Sequence, residues 1–147
     1  MAIDLMHPDG FDALLGHEIL ELSPERATSQ VRVGPQHLQP MGLVHGGVYA
    51  AIAESLTSLA TNLAVMDDGR IGVGLSNQTS FLRPIRGGTI HAVAVRKHRG
   101  RSTWVWEVEM RDDDGRLAVI TRMTIAVRPA PESLSPGDGA PAGAPPV

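Results

Sequence analysis

The chain of 147 residues contains no cysteine. Disulfides, thiolate metal sites and a cysteine nucleophile are thereby excluded, and a reducing, cytoplasmic setting is expected. Aromatics are nearly as scarce, with two Trp, two Phe and one Tyr. Val, Leu, Ile, Ala and Met must therefore fill the core, and a hydrophobic content of 42% is enough for one ordinary domain. Lysine is almost absent, since Arg outnumbers it twelve to one. No long run of one charge sign occurs and the formal net charge is −3, which argues against nucleic acid as the main partner. Met1 to Gly16 lacks a basic region followed by an apolar run, so no signal peptide is expected. No set of His, Asp and Glu has metal-ligand spacing. Asp112-Asp113-Asp114-Gly115 lacks the rest of a calcium loop and reads as a solvated turn.

What is present falls into a folded part, residues 8–128, and a Pro-, Gly- and Ala-rich stretch, residues 129–147, with little to bury. The latter reads as a disordered tail. Within the former, Phe11 to Leu15 fits a short helix. Glu18 to Leu22 and Ala27 to Val33 fit strands joined through Pro24. A loop runs from Gly34 to Gly42, and a long helix from Gly46 to Met66 ends at Asp67-Asp68-Gly69. Four strands follow: Ile71 to Leu82, Thr89 to Lys97, Thr103 to Arg111 and Leu117 to Val127, with turns at Arg99-Gly100 and Asp114-Gly115. In the first of these, Ile71, Val73, Leu75, Asn77, Thr79 and Phe81 share one face. In the third, Trp104, Trp106, Val108 and Met110 oppose Val105, Glu107 and Glu109. Two strands, one helix and a four-strand meander predict an α+β fold with an antiparallel sheet of five to six strands. A helix of this length spans ~30 Å, enough for the sheet to wrap around it.

From Val48 to Met66 the helix carries a single charge, Glu54. A helix so apolar is normally buried in a protein core, and its hydroxyls and surrounding strands argue against a membrane span. Ile52, Leu56, Leu59, Leu63 and Met66 form the predicted stripe toward the sheet. Glu54, Thr57, Ser58 and Thr61 are placed opposite, with Ala50 and Ala51 extending that side. An unpaired carboxylate buried there would be expected to hold its proton more tightly than usual, whereas a purely structural glutamate would meet an arginine. His45-Gly46-Gly47 leads into the helix. The glycines let a substrate approach the backbone, and the first N–H groups of a helix are unpartnered at its positive end, suited to a carbonyl oxygen that gains charge. Gly46 and Glu54 lie ~12 Å apart along one axis. Two antiparallel copies of the helix could bring Glu54 of one chain to Gly46 of the other, which predicts an obligate homodimer with two composite sites.

Gln39-Pro40-Met41-Gly42-Leu43-Val44-His45-Gly46-Gly47, followed by Ala53-Glu54-Ser55, resembles the hotdog-fold thioesterases. It is most similar to the branch with a helix glutamate, which includes 4-hydroxybenzoyl-CoA and 1,4-dihydroxy-2-naphthoyl-CoA thioesterases. The related phenylacetate-pathway (PaaI-like) branch usually has aspartate there. The likeness runs from Gly16 to Val127 and takes in Gly74-Leu75, Arg83, His98-x-Gly100 and Trp106 in order. It implies a hotdog fold and hydrolysis of an aromatic or medium-chain acyl-CoA, without metal or cofactor, by a homodimer or homotetramer. It implies that Glu54 acts as nucleophile or general base, that the Gly46 N–H binds the thioester oxygen, and that Gln39 and His45 orient substrate or water. Ser58 would hydrogen-bond around the site, and Gly47 and Thr57 would border it. Ser80, Phe81, Arg83, His98, Gly100, Arg101 and Ser102 become candidates for the coenzyme A moiety, although a relative can have histidine where Phe81 stands. Two alternatives remain open: a non-catalytic acyl-CoA-binding module, and an acyl-ACP dehydratase or enoyl-CoA hydratase on the same fold. The His-Phe-Pro loop of the dehydratases is absent from the sequence.

Overall fold

Short punctuating residues separate the elements where the pattern changes period. Gly16, at φ 68°, adopts the left-handed conformation that closes α1 (Phe11–Leu15) and releases the chain into β1 (His17–Leu22). β2 (Arg26–Arg32) follows, then a 3-10 turn (Pro35–His37) and the long helix α2 (Gly46–Val65). A 3-10 turn over Met66–Asp68 ends at Gly69, φ 67°, and leads to β3 (Arg70–Phe81). β4 (Thr89–Arg99), β5 (Thr103–Arg111) and β6 (Leu117–Pro129) complete the fold. The computed structural model describes residues 3–134. Most of the expected tail, from residue 135 onward, lies outside the described residues. β6 runs one residue into that stretch, with Pro129 opposite Arg70, and Glu132–Leu134 form a 3-10 turn. The pairing of β5 with β6 stops at Ala126, so Pro129 has a neighbouring strand on one side only.

All five strand pairs are antiparallel, and the sheet order is β1-β2-β4-β5-β6-β3. β3 stands at the far edge because α2 carries the chain beneath the whole sheet before β3 begins, touching all six strands on the way. The inner face of β5 is as its alternation required: Trp104, Trp106, Val108 and Met110 are buried, and Val105, Glu107 and Glu109 are half-buried on the outside. α2 is long and apolar enough to cross a membrane, but it is the core helix, with half of its most apolar window buried against the sheet.

Two predicted faces are corrected. On α2 the inward residues are Tyr49, Ile52, Ala53, Leu56, Thr57, Ala60, Thr61 and Val65, whereas Leu63 is 43% exposed and Leu59 only half-buried. Thr57 and Thr61 are fully buried because each hydroxyl donates to the carbonyl one turn back, to Ala53 and Thr57 respectively, both at 2.8 Å. Small residues also let the helix approach: a Cβ on Gly72 would lie 2.7 Å from Thr61 Cγ2. On β3 a bulge between Gly74 and Ser76 breaks the alternation. Gly72 and Gly74 therefore face the helix before it, and Asn77 and Phe81 after it: Asn77 Nδ2 donates to Ala50 O at 2.9 Å, and Phe81 lies over Gly46. Ile71 and Val73 do not share their face.

Candidate active site

The loop before α2 is drawn tight by backbone and histidine contacts. His37, buried, accepts from Gly34 N–H at Nδ1 (2.9 Å) and donates from Nε2 to Leu15 O (2.8 Å). Gln39 N–H donates to Leu43 O, Val44 N–H to Ile85 O and His45 N–H to His37 O. These bonds fix the entry to the helix and leave Gly46 as its first residue. His45 is the N-cap: its Nδ1 accepts from Gly47 N–H at 2.9 Å, which assigns the ring proton to Nε2 on the exposed side. Gly46 N–H, by contrast, has no acceptor among the described residues. It is an open donor at the positive end of a 20-residue helix. The ring of Phe81 packs against Gly46, and a Cβ on that residue would sit 2.9 Å from Phe81 Cζ. Gln39 is half-buried in the same loop, its side-chain carbonyl accepting from Met41 N–H, so that its amide NH₂ is left available.

Glu54 lies two turns further along α2. The expectation of a buried carboxylate is corrected: in the single chain Glu54 is exposed. It forms no ion pair with Lys, Arg or His among the described residues. Ser58 Oγ donates to Glu54 Oε1 at 3.1 Å, and a Cβ on Gly74 would lie 2.9 Å from the same oxygen. Thr57 is not part of this group, since its side chain points into the core.

The remaining candidates fall at two ends of the sheet. Ser80, Phe81 and Arg83 are exposed at the end of β3 nearest the start of α2. His98, Gly100, Arg101 and Ser102 lie at the β4–β5 hairpin, beside the opposite end of β3, where Arg70 Nη2 donates to Arg101 O at 2.5 Å. Eleven strand steps, roughly 35 Å, separate these ends. One chain thus brings together Gln39, His45, Gly46, Gly47 and Phe81, holds Glu54 and Ser58 apart from them, and sets the hairpin group apart from both.

The Thioesterase superfamily profile matches residues 41–119. The chain belongs to the thioesterase superfamily. Like other members it has the hotdog fold. It is similar to thioesterase PA1618 of Pseudomonas aeruginosa, solved as a point variant, with a TM-score of 0.78 and 37% identity over 82% of this chain and 87% of that one. Thioesterase HI1161 of Haemophilus influenzae gives a TM-score of 0.75 at 33% identity, covering 80% and 82% of the two chains. A Listeria monocytogenes protein named 1,4-dihydroxy-2-naphthoyl-CoA hydrolase is 34% identical over 119 residues, 81% of this chain and 96% of its own length.

Two features of this thioesterase-superfamily chain escape pattern reading. Asp12, His17 and Ser29 form a hydrogen-bonded row, with His17 Nδ1 3.0 Å from Asp12 Oδ1 and Nε2 2.8 Å from Ser29 Oγ. The order mimics a hydrolytic triad, but Ser29 is 2% exposed on the core face of β2, so the row is a structural tie. Burial pushes the Asp12 carboxyl up, yet its bonds to His17 and to Ser55, next to Glu54, outweigh this and hold it below the ordinary value. His17 could have been found from its place on the buried face of a strand. The second feature is Tyr49, one helical turn after Gly46, whose hydroxyl is buried with no hydrogen-bond partner. No sequence signal marks it.

Proposed function

We propose that this protein hydrolyses an acyl-CoA thioester with an aromatic or medium-chain acyl group, in a composite site formed between two copies of the chain. The observation that carries the proposal is the presence on one helix of an open backbone donor, Gly46 N–H, and a carboxylate, Glu54, that no cation neutralises among the described residues. The donor would take the thioester oxygen as charge builds on it. Glu54, steadied by Ser58, would attack the carbonyl carbon or remove a proton from the attacking water; the thiolate of coenzyme A then leaves readily. His45 Nε2–H and the free amide of Gln39 would orient substrate or water.

Exposure of Glu54 in one chain supports a second chain rather than opposing the chemistry. β3 is an unpaired edge of 12 residues; it carries Val73 and Leu75, and Leu63 lies on α2, the three being 49%, 61% and 43% exposed. Long apolar edges of this kind are normally covered. Antiparallel pairing of two β3 edges would set the helices side by side and bring Glu54 of one chain toward Gly46 of its partner. It would also carry the hairpin His98–Ser102 of one chain toward Phe81 and Arg83 of the other, giving the phosphates of coenzyme A basic side chains from both. A dimer is the minimum unit, two dimers would give a tetramer, and a cytoplasmic location belongs to the same reading.

A thiol-release assay with benzoyl-, 4-hydroxybenzoyl- and hexanoyl-CoA tests it. Turnover is expected, and Glu54→Gln should reduce it by about 10²–10⁴-fold with the fold retained. Binding without thiol release, or hydration of crotonyl-CoA in its place, would overturn the proposal.

A further inference from the structure

Tyr49 is 97% buried by the measure of its 3% residual exposure, and its hydroxyl is the one buried side-chain polar atom without a hydrogen-bond partner among the described residues. Such groups are rare in folded proteins because an unpaired buried hydroxyl forfeits its bonds to water. The position narrows the explanation. A helical side chain covers the turn N-terminal to its own Cα, so Tyr49 leans over the turn that begins at Gly46. Its ring centroid is 6.1 Å from that of Phe81, the ring that packs against Gly46. Phe81 is 59% exposed, so turning it aside forfeits little burial. Burial pushes the phenol pKa up, and the nearby backbone of Ile85, short of a full hydrogen bond, pulls it the other way.

We propose that Tyr49 is a specificity-determining residue: with Phe81 turned aside, its unpartnered hydroxyl donates to an oxygen carried by the acyl group bound at the start of α2. The favoured substrates are then hydroxy- or oxo-substituted acyl thioesters, and Phe81 supplies an aromatic face against the same acyl group. This rests on the thioester-hydrolase reading above.

The test compares wild type with Tyr49→Phe on three substrate pairs: 4-hydroxybenzoyl- and benzoyl-CoA, 1,4-dihydroxy-2-naphthoyl- and 2-naphthoyl-CoA, and 3-hydroxyhexanoyl- and hexanoyl-CoA. The quantity read is the kcat/KM ratio of the oxygenated member to its parent. Wild type should favour the oxygenated member in at least one pair, and Tyr49→Phe should lower that ratio roughly three- to tenfold, the worth of one hydrogen bond. Without ligand, Tyr49→Phe should melt at or above the wild-type Tm, because no bond is lost. Equal losses on both members of every pair, or no wild-type preference in any pair, would overturn the inference and leave thioester hydrolysis standing. A lower Tm would show that the hydroxyl has a structural partner and would overturn it as well. If wild type releases thiol from none of the six, the hydrolase reading fails and this inference falls with it.

Discussion

Replacing Gly46 with alanine should separate activity from stability, because the two effects have opposite signs at this position. Gly46 is not in a left-handed conformation, and alanine is the better helix former by about 0.5–1 kcal/mol in helix interiors, less at a first position. The new Cβ would sit 2.9 and 3.0 Å from Phe81 Cζ and Cε1. Those contacts require Phe81 to move, but its ring is the exposed end of a side chain and not part of the core. The net stability change should therefore stay within about 1 kcal/mol of zero. Activity should behave otherwise. Alanine keeps the N–H, but its methyl group stands beside that donor in the path of the thioester oxygen, and shutting off one such donor costs about 10²–10³ in kcat. Urea unfolding and thiol release, measured on the same preparation, read the two quantities. Activity within a few-fold of wild type would refute the close approach of the thioester to the backbone at Gly46. A loss of more than about 2 kcal/mol of stability would show that the glycine serves packing instead.

Further outcomes follow from the same contacts. Leu75→Lys on the unpaired edge of β3 should shift the protein toward monomer in light scattering and abolish thiol release together, since each site needs both chains. Trp106→Phe should cost about 1–3 kcal/mol in urea unfolding, because the fully buried indole N–H that donates to Thr61 Oγ1 at 3.0 Å is removed along with part of the ring. The Asp12 carboxyl is held below its ordinary value of 3.8, so its contribution to stability is fully present above that pH and is lost as pH falls through the lower folded value. Asp12→Asn should accordingly lower stability at pH 7 and weaken the fall in stability below pH ~4; parallel curves for the two proteins would contradict the His17 tie.

Much of the fold was legible because its periodicities are clean. α2 ends at Val65, one residue before the predicted end, and the inner face of β5 reads directly from its alternation. Where reading failed, the cause was local. The bulge after Gly74 leaves no mark in a strand with alternating apolar residues, so Ile71 and Phe81 were assigned one face. Thr57 and Thr61 read as a polar exterior, but their hydroxyls are satisfied by the helix's own carbonyls, and Thr61 also accepts from Trp106 in the core. Apolarity alone then favoured Leu63, which belongs to the uncovered side. Spacing along α2 already implies that one chain cannot easily aim Gly46 and Glu54 at one carbonyl. The separation of Arg83 from the His98–Ser102 hairpin was not readable, since it depends on β3 crossing to the far edge of the sheet. Tyr49 gave no signal at all, because an unpaired hydroxyl is a property of the packed molecule.

The composite site is tested most directly by mixing two damaged chains. Glu54→Gln and Gly46→Ala proteins, each expected to be far less active than wild type, are unfolded together in equal amounts and refolded. If Gly46 of one chain works with Glu54 of the other, each site draws its halves independently and about a quarter of the sites are intact. Thiol release should then return to about one quarter of wild type. Activity no higher than the sum of the two parents would contradict the account, because it would place both groups in the same chain or remove one of them from the chemistry.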